Sequence, residues 1–265
     1  MNRIPRIFAD LRQTHRKALM PFVTAGYPSL EATAAILPAL QRAGASVVEL
    51  GFPFSDPIAD GPVIAASMTE ALNAHVTPGS IFDMVKKLRP TLSLGIVAMV
   101  SYTIVDRIGP RKFVELAVDA GIDGFIIPDL PLEESDAVIQ LIRDAGLVCS
   151  LLIAPTTPAA RAAQIARACS GFAYVMSRTG ITGESARVPA DLAPRVAALR
   201  QVTDLPIAVG FGIGRPEQVR SVVEHADAAI VGSAIVREIT EVKNQPPVKI
   251  AEHIETFVKH LASGL

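Results

Sequence analysis

Eight short apolar runs, separated by stretches of helical periodicity, leave this chain few architectures. They are Leu19–Thr24, Ser46–Leu50, Ser93–Val100, Gly124–Ile127, Val148–Ile153, Phe172–Met176, Pro206–Val209 and Ala228–Val231. Each is apolar almost throughout rather than alternating, which is the pattern of parallel strands covered on both faces. The stretches between them are amphipathic and alanine-rich, and three end in Ala-Gly: Ala43-Gly44, Ala120-Gly121 and Ala145-Gly146. Glycine there suits the left-handed turn that closes a helix. Eight strand–helix units in 265 residues argue for an α/β fold, a single-domain (β/α)8 TIM barrel over residues 1–265 with a few extra helices. An open, doubly wound sheet is the alternative that a miscounted strand would admit. No linker or low-complexity segment divides the chain.

Composition removes several function classes. Half of the residues are hydrophobic (50%), enough for a large core. A net charge of −1 and a pI of about 6.5 leave no basic footprint for nucleic acid or an anionic membrane. No apolar run approaches the roughly 18 residues of a membrane helix. The opening Met-Asn-Arg-Ile-Pro-Arg-Ile-Phe has no apolar core of signal-peptide length. Cys149 and Cys169 fit no metal-ligand spacing and read as inert packing. The expectation is a cytoplasmic protein with no metal site, binding neither nucleic acid nor membrane.

In such a barrel the chemistry belongs at the carboxyl ends of the strands. The second run carries Glu49 near its end, followed by a loop stiffened by Pro53, Pro57 and Pro62 that holds Ser55, Asp56 and Asp60. A helix is expected to start near Pro62. An acid in an apolar strand costs several kcal/mol unless something offsets it. Two carboxyls in different settings, one near-buried and one in a polar loop, can have their pKa values driven apart and so supply an acid and a base. The bland alternatives are a Glu49 paired with a basic group and an Asp60 that merely makes a turn before Gly61. No lysine or arginine lies near Glu49 in sequence.

The last two strand ends suggest phosphate. Gly210, Gly212 and Gly214 would let backbone amides approach an anion closely, and Gly232-Ser233 opens a helical run, Ala234–Thr240, whose amino end favours negative charge. Tight turns alone would also explain these glycines. None of the seven lysines reads at the carboxyl end of a strand, which argues against a Schiff base, and the five histidines fall in helical or terminal stretches, which argues against a histidine-ligated metal. Carboxylate acid–base work on a phosphorylated substrate remains. If a carbon–carbon bond breaks, the substrate itself must receive the electrons, as an indole ring protonated at carbon-3 could.

Six blocks of sequence resemble the tryptophan synthase α subunit family. They are Val48-Glu49-Leu50-Gly51-Phe52-Pro53-Phe54-Ser55-Asp56-Pro57 with Ala59-Asp60-Gly61-Pro62, Pro21-Phe22-Val23-Thr24-Ala25-Gly26-Tyr27-Pro28, Asp129-Leu130-Pro131-Leu132-Glu133-Glu134, Ser177-Arg178-Thr179-Gly180-Ile181-Thr182-Gly183, Gly210-Phe211-Gly212-Ile213, and Gly232-Ser233-Ala234-Ile235-Val236. The resemblance implies a lyase that cleaves indole-3-glycerol phosphate to indole and glyceraldehyde 3-phosphate. It implies an αββα heterotetramer with a β subunit that receives the indole. Pyridoxal phosphate is expected only in that partner, and no cofactor in this chain.

Residue by residue, the resemblance implies Glu49 and Asp60 as the catalytic pair, with Tyr174 beside them. It implies Gly183, Gly212, Gly232 and Ser233 as the phosphate cradle, and Phe22, Met99 and Val100 as apolar contacts to the indole. The stretch from Ser177 to Ala190 would be a lid, with Arg178, Thr182 and Arg187 in it and Thr182 bonding the second carboxylate on closure. Asp56, Pro57, Thr103 and Ile104 would meet the partner. Tyr102 is followed here by Thr103-Ile104-Val105 where relatives often carry Asn, which bears on the interface rather than the chemistry. Asp129 reads either as a helix start or as a loop tether. Two other classes stay open at this stage: a phosphate-binding barrel isomerase or epimerase, and a non-catalytic barrel acting as an allosteric or scaffolding subunit.

Overall fold

The strands form one continuous parallel sheet that curls until its two edges meet in consecutive residues. The computed structural model describes residues 2–56, 60–176, 189, 191–210 and 212–265. Among these, nine strands are assigned: β1 Ala18–Thr24, β2 Val47–Gly51, β3 Gly95–Met99, β4 Gly124–Ile126, β5 Val148–Ser150, β6 Leu152–Ile153, β7 Ala173–Met176, β8 Ile207–Gly210 and β9 Ala228–Val231. Their hydrogen-bonded order is β5-β4-β3-β2-β1-β9-β8-β7-β6. The expected fifth strand, Val148–Ile153, is thus broken at Leu151. Its first part pairs with β4 and its second with β7. The two ends of the sheet are one stretch of chain, so eight crossings close the ring and the open-sheet alternative falls.

Helices fill the connections. Beyond the one-per-crossing minimum they include Arg3–Gln13 before β1, a pair at Pro62–Asn73 and Pro78–Leu88, a pair at Tyr102–Ile108 and Pro110–Ala120, and Ser233–Val242 with Pro247–Ala262 at the end. The Ala-Gly stops behave as expected, Gly44, Gly121 and Gly146 having φ of +92°, +81° and +75°. Pro62 occupies the first turn of its helix, where its missing N–H costs nothing.

Successive strand residues point to opposite sides of the wall. On the outer side Leu19, Val23, Val48, Leu50, Ile96 and Ala98 pack beneath the helices. On the inner side Met20, Val47, Val97, Ile126, Val148 and Phe172 fill the barrel, joined by Ile4, Phe8 and Leu11 of helix Arg3–Gln13. That helix closes the amino end. Ile4 sits so near Gly95 that a Cβ there would fall 2.3 Å from its Cδ1, which is why β3 begins with glycine. The lower barrel is therefore filled by apolar side chains, and the carboxyl end is left for chemistry.

Candidate active site

Glu49 has the parity of Val47, so the register that puts valine into the barrel puts the acid above it. It is paired across the ladder with Phe22 on one side and Val97 on the other, and is 1% exposed. Its Oε1 is buried without a hydrogen-bond partner among the described residues. Burial drives its carboxyl well above the usual range, which favours the protonated form. Among the described residues no basic group contributes to this shift.

Asp60 lies in the loop after β2, one residue before the cap of helix Pro62–Asn73. It is half-buried, and burial lifts its carboxyl from 3.8 to about 6. At neutral pH it is mostly ionised. The helix behind it is docked by a buried pair that the sequence did not reveal. Thr24 and Ser67 hydroxyls meet at 2.6 Å, and Ser67 donates to the Ile64 carbonyl at 2.7 Å. Nothing in the local pattern flags two hydroxyls 43 residues apart.

Tyr174, on β7 across the barrel, completes the group. Its hydroxyl is held protonated far above the usual range, first by burial and then by the charges of Glu49 and Asp60. Both acids are therefore near enough for their charges to act on the phenol. A Cβ at Gly210 would lie 2.8 Å from the Tyr174 hydroxyl, so the glycine on β8 makes room for the phenol. The Phe22 ring lies over Gly51 in the same way, an added Cβ there falling 2.5 Å from Cζ.

Val100 is buried and Met99 half-buried, and both line a pocket of about 360 Å³ with Asp60, Phe52, Phe54 and Met68. The outer rim of that pocket is Asp56, Ser101, Thr103 and Asp129. Asp56 is exposed and accepts from Ser55 Oγ at 2.8 Å. Thr103 is exposed and Ile104 half-buried on the first turns of helix Tyr102–Ile108. Asp129 is a tether: it accepts from Ser101 Oγ at 2.6 Å and from the Tyr102 N–H at 2.8 Å, tying the end of β4 to the start of that helix.

Gly232 and Ser233 stand at the start of helix Ser233–Val242, with no side-chain cap on its first amides. A Cβ at Gly232 would meet only Phe22 and Ile64 at 3.6 Å and beyond, so side-chain crowding does not demand glycine there. Gly212 follows β8, half-buried. Gly183, Arg178, Thr182, Arg187 and Pro57 lie outside the described residues. No three histidine, cysteine or acidic side chains gather as a metal site among the described residues.

Comparison with known proteins follows the same lines. A family model described as Tryptophan synthase alpha chain matches residues 8–264. The chain is 44% identical over 235 residues to the tryptophan synthase alpha chain of a Cyanothece species, covering 88% of each. It is 42% identical to that of Acaryochloris marina over 100% of this chain and 98% of the other. Among solved structures it resembles tryptophan synthase subunit alpha from Legionella pneumophila, with a TM-score of 0.87, 33% identity and coverage of 100% and 98%. It also resembles a ligand-free tryptophan synthase from M. tuberculosis, with a TM-score of 0.88, 29% identity and coverage of 100% and 99%.

Proposed function

The chain belongs to the tryptophan synthase alpha chain family, and from that premise we infer that it is a carbon–carbon lyase of tryptophan biosynthesis. Its reaction is the retro-aldol cleavage of indole-3-glycerol phosphate to indole and glyceraldehyde 3-phosphate. We propose Glu49 as the group that protonates indole carbon-3 and then, as carboxylate, takes the proton of the hydroxyl next to the breaking bond. The carbon–carbon bond pair flows into the ring, which returns to neutral indole as the aldehyde forms. Asp60, ionised above about pH 6, accepts a hydrogen bond from the indole N–H and stabilises the positive charge that protonation creates. Tyr174 packs beside both and holds their geometry. Gly212, Gly232 and Ser233, together with Gly183, receive the phosphate through backbone amides and the helix amino end.

One observation carries this reading: a fully buried glutamate carboxyl, one oxygen of which has no partner among the described residues, lies on the strand whose following loop carries a half-buried aspartate with its carboxyl lifted to about 6. That is the division of labour the reaction requires. The pocket running from Asp60 past Met99 to the Asp56–Thr103–Asp129 rim supports a further step, passage of indole to a β subunit in an αββα heterotetramer. Pyridoxal phosphate is assigned to that partner and none to this chain. No helix among the described residues is long and apolar enough to cross a membrane, and the buried thiols of Cys149 and Cys169 are free. Both fit the cytoplasmic placement we propose.

The test is indole release from indole-3-glycerol phosphate by the purified chain, alone and with its β subunit, beside Glu49→Gln. The variant should lose about 10²–10⁴-fold in rate while still binding glyceraldehyde 3-phosphate. A variant as fast as the parent would refute the role of Glu49. No release from the parent under either condition would refute the reaction and favour a non-catalytic barrel.

A further inference from the structure

Backbone ladders join neighbouring strands around most of the barrel. The seam where the ring closes is built differently. β5 follows β4 through three register pairs, but β6 meets β7 through two only, Leu152↔Tyr174 and Ile153↔Val175. Beneath those pairs side chains take over. The Cys149 N–H donates to Ser170 Oγ at 2.9 Å, and the Leu151 N–H to Cys169 Sγ at 3.2 Å. The Phe172 carbonyl, left over by the broken ladder, is taken by Ser150 Oγ at 2.7 Å. One backbone bond, Ser170 N–H to the Cys149 carbonyl at 2.7 Å, completes the join. Ser150 and Phe172 are both 0% exposed, so a carbonyl deprived of that hydroxyl would be left unpaired in the interior.

The opposite junction offers a contrast. β1 pairs with β9 through Ala18–Pro21 and with β2 through Phe22–Thr24. There the backbone bonds run on, Ser46 N–H reaching the Leu19 carbonyl at 3.0 Å and Ala25 N–H the Gly51 carbonyl at 2.9 Å. Side chains meet strand N–H groups elsewhere too, Asp123 accepting from Ile96 and Asp227 from Ile207, both at 2.9 Å, but the seam at Leu151 is where a strand itself breaks in two. It also divides the proposed site. Glu49, Asp60 and Met99 belong to the half running from β1 to β5, whereas Tyr174, Gly212 and Gly232 belong to the half running from β6 to β9. Phe172, the residue that Ser150 holds, is two positions before Tyr174.

We propose that Ser150 is a positioning residue of the reaction: by holding Phe172 across the interrupted ladder, it sets the distance between the half-barrel that grips the indole and the half-barrel that grips the phosphate. Cys169 acts on the same seam from the outer side, through the Leu151 N–H. This rests on the site reading above, in which the substrate spans both halves. A ligand confined to one half is indifferent to the seam, and a substrate spanning both is not.

The experiment uses the purified chain, Ser150→Ala and Ser150→Cys. It reads kcat and KM for cleavage of indole-3-glycerol phosphate, the affinity for glyceraldehyde 3-phosphate, which reaches the phosphate half alone, and folding by circular dichroism. Misplacing reacting groups by a fraction of an ångström is expected to lower kcat of Ser150→Ala by about tenfold. Its affinity for glyceraldehyde 3-phosphate should stay within about twofold of the parent, and Ser150→Cys, which keeps a weak donor, should fall between. A kcat of Ser150→Ala within about twofold of the parent would overturn the proposal. So would a parallel loss of kcat and glyceraldehyde 3-phosphate affinity, the mark of a loosened fold. If Ser150→Ala does not fold, Ser150→Cys and Cys169→Ala are held to the same criteria. Failure of the parent to cleave the substrate would instead overturn the function on which the proposal rests.

Discussion

Replacing Asp60 with asparagine should make the fold more stable and the enzyme slower, and the first effect can be sized from burial. In the folded chain the Asp60 carboxyl has risen from 3.8 to about 6. Between those values the folded chain keeps a proton that the unfolded chain has released. The folded state therefore binds more protons, and stability falls as pH rises from about 4 to about 6, then levels off for this group. A rise of about two pKa units corresponds to about 3 kcal/mol, reduced somewhat because the side chain is only half-buried. Asparagine has nearly the same shape and no charge at any pH. Asp60→Asn should match the parent near pH 4 and exceed it by about 2–3 kcal/mol at neutral pH.

The chain contains no tryptophan, so urea unfolding is best followed by far-ultraviolet circular dichroism. Parent and variant are compared at unit steps between about pH 4 and about pH 8. A stability difference that does not change with pH would refute the reasoning, and so would a parent more stable than the variant at neutral pH. In parallel the variant's cleavage rate should fall by about 10²-fold or more, because the charge that stabilises protonated indole is gone. A more stable and still active Asp60→Asn would leave the burial argument intact and remove Asp60 from the mechanism.

Other substitutions address separate links. Gly232→Ala adds a methyl that meets only ordinary contacts, so the variant should fold normally while its affinity for glyceraldehyde 3-phosphate drops about tenfold or more; equal affinity by calorimetry would remove Gly232 from the cradle. Asp123, 2% exposed, accepts from the Ile96 N–H at 2.9 Å and pairs with Arg3 and Arg89. Asp123→Ala should cost about 3–5 kcal/mol in urea unfolding because it strands the buried Arg89 guanidinium, and a loss under about 1 kcal/mol would show that the network is not what holds the amino end of the barrel.

The eight crossings were legible because both faces of each strand are covered, which writes an uninterrupted apolar run into the sequence. All seven residues of β1 and all five of β2 are buried. The same cause hid the inner from the outer side: in a run with no polar face, Tyr174 reads equally as core or site. Glu49 escaped that ambiguity because an acid in such a run has few explanations. The break at Leu151 was invisible for a different reason. It depends on Cys169 and Ser170, which lie far along the chain from the residues they serve and carry no periodic signature. Asp129 is similar, since its tether to Ser101 spans 28 residues. Helix Arg3–Gln13 was not anticipated: its stripe, Ile4, Phe8 and Leu11, does not say which surface it covers.

What makes the site exacting is register. Phe22, Glu49 and Val97 stand side by side on three strands, one layer above the apolar filling supplied by Val47 and its neighbours. A slip of one residue in β2 would turn Glu49 outward beneath the helices and bring Leu50 inward. The slip would not relieve the burial of the acid, because the outer side is covered as well; what burial favours is a local opening that lets the carboxyl reach water. The opposing force is the outer packing of Val48 and Leu50, both 0% exposed, which the same slip would expose to the barrel mouth. Two buried aliphatic side chains contribute about 1.5–3 kcal/mol each, which offsets the cost of holding the carboxyl in the interior. The raised pKa of Glu49 thus follows from the register that the outer packing holds, and it favours the protonated form from which the acid acts.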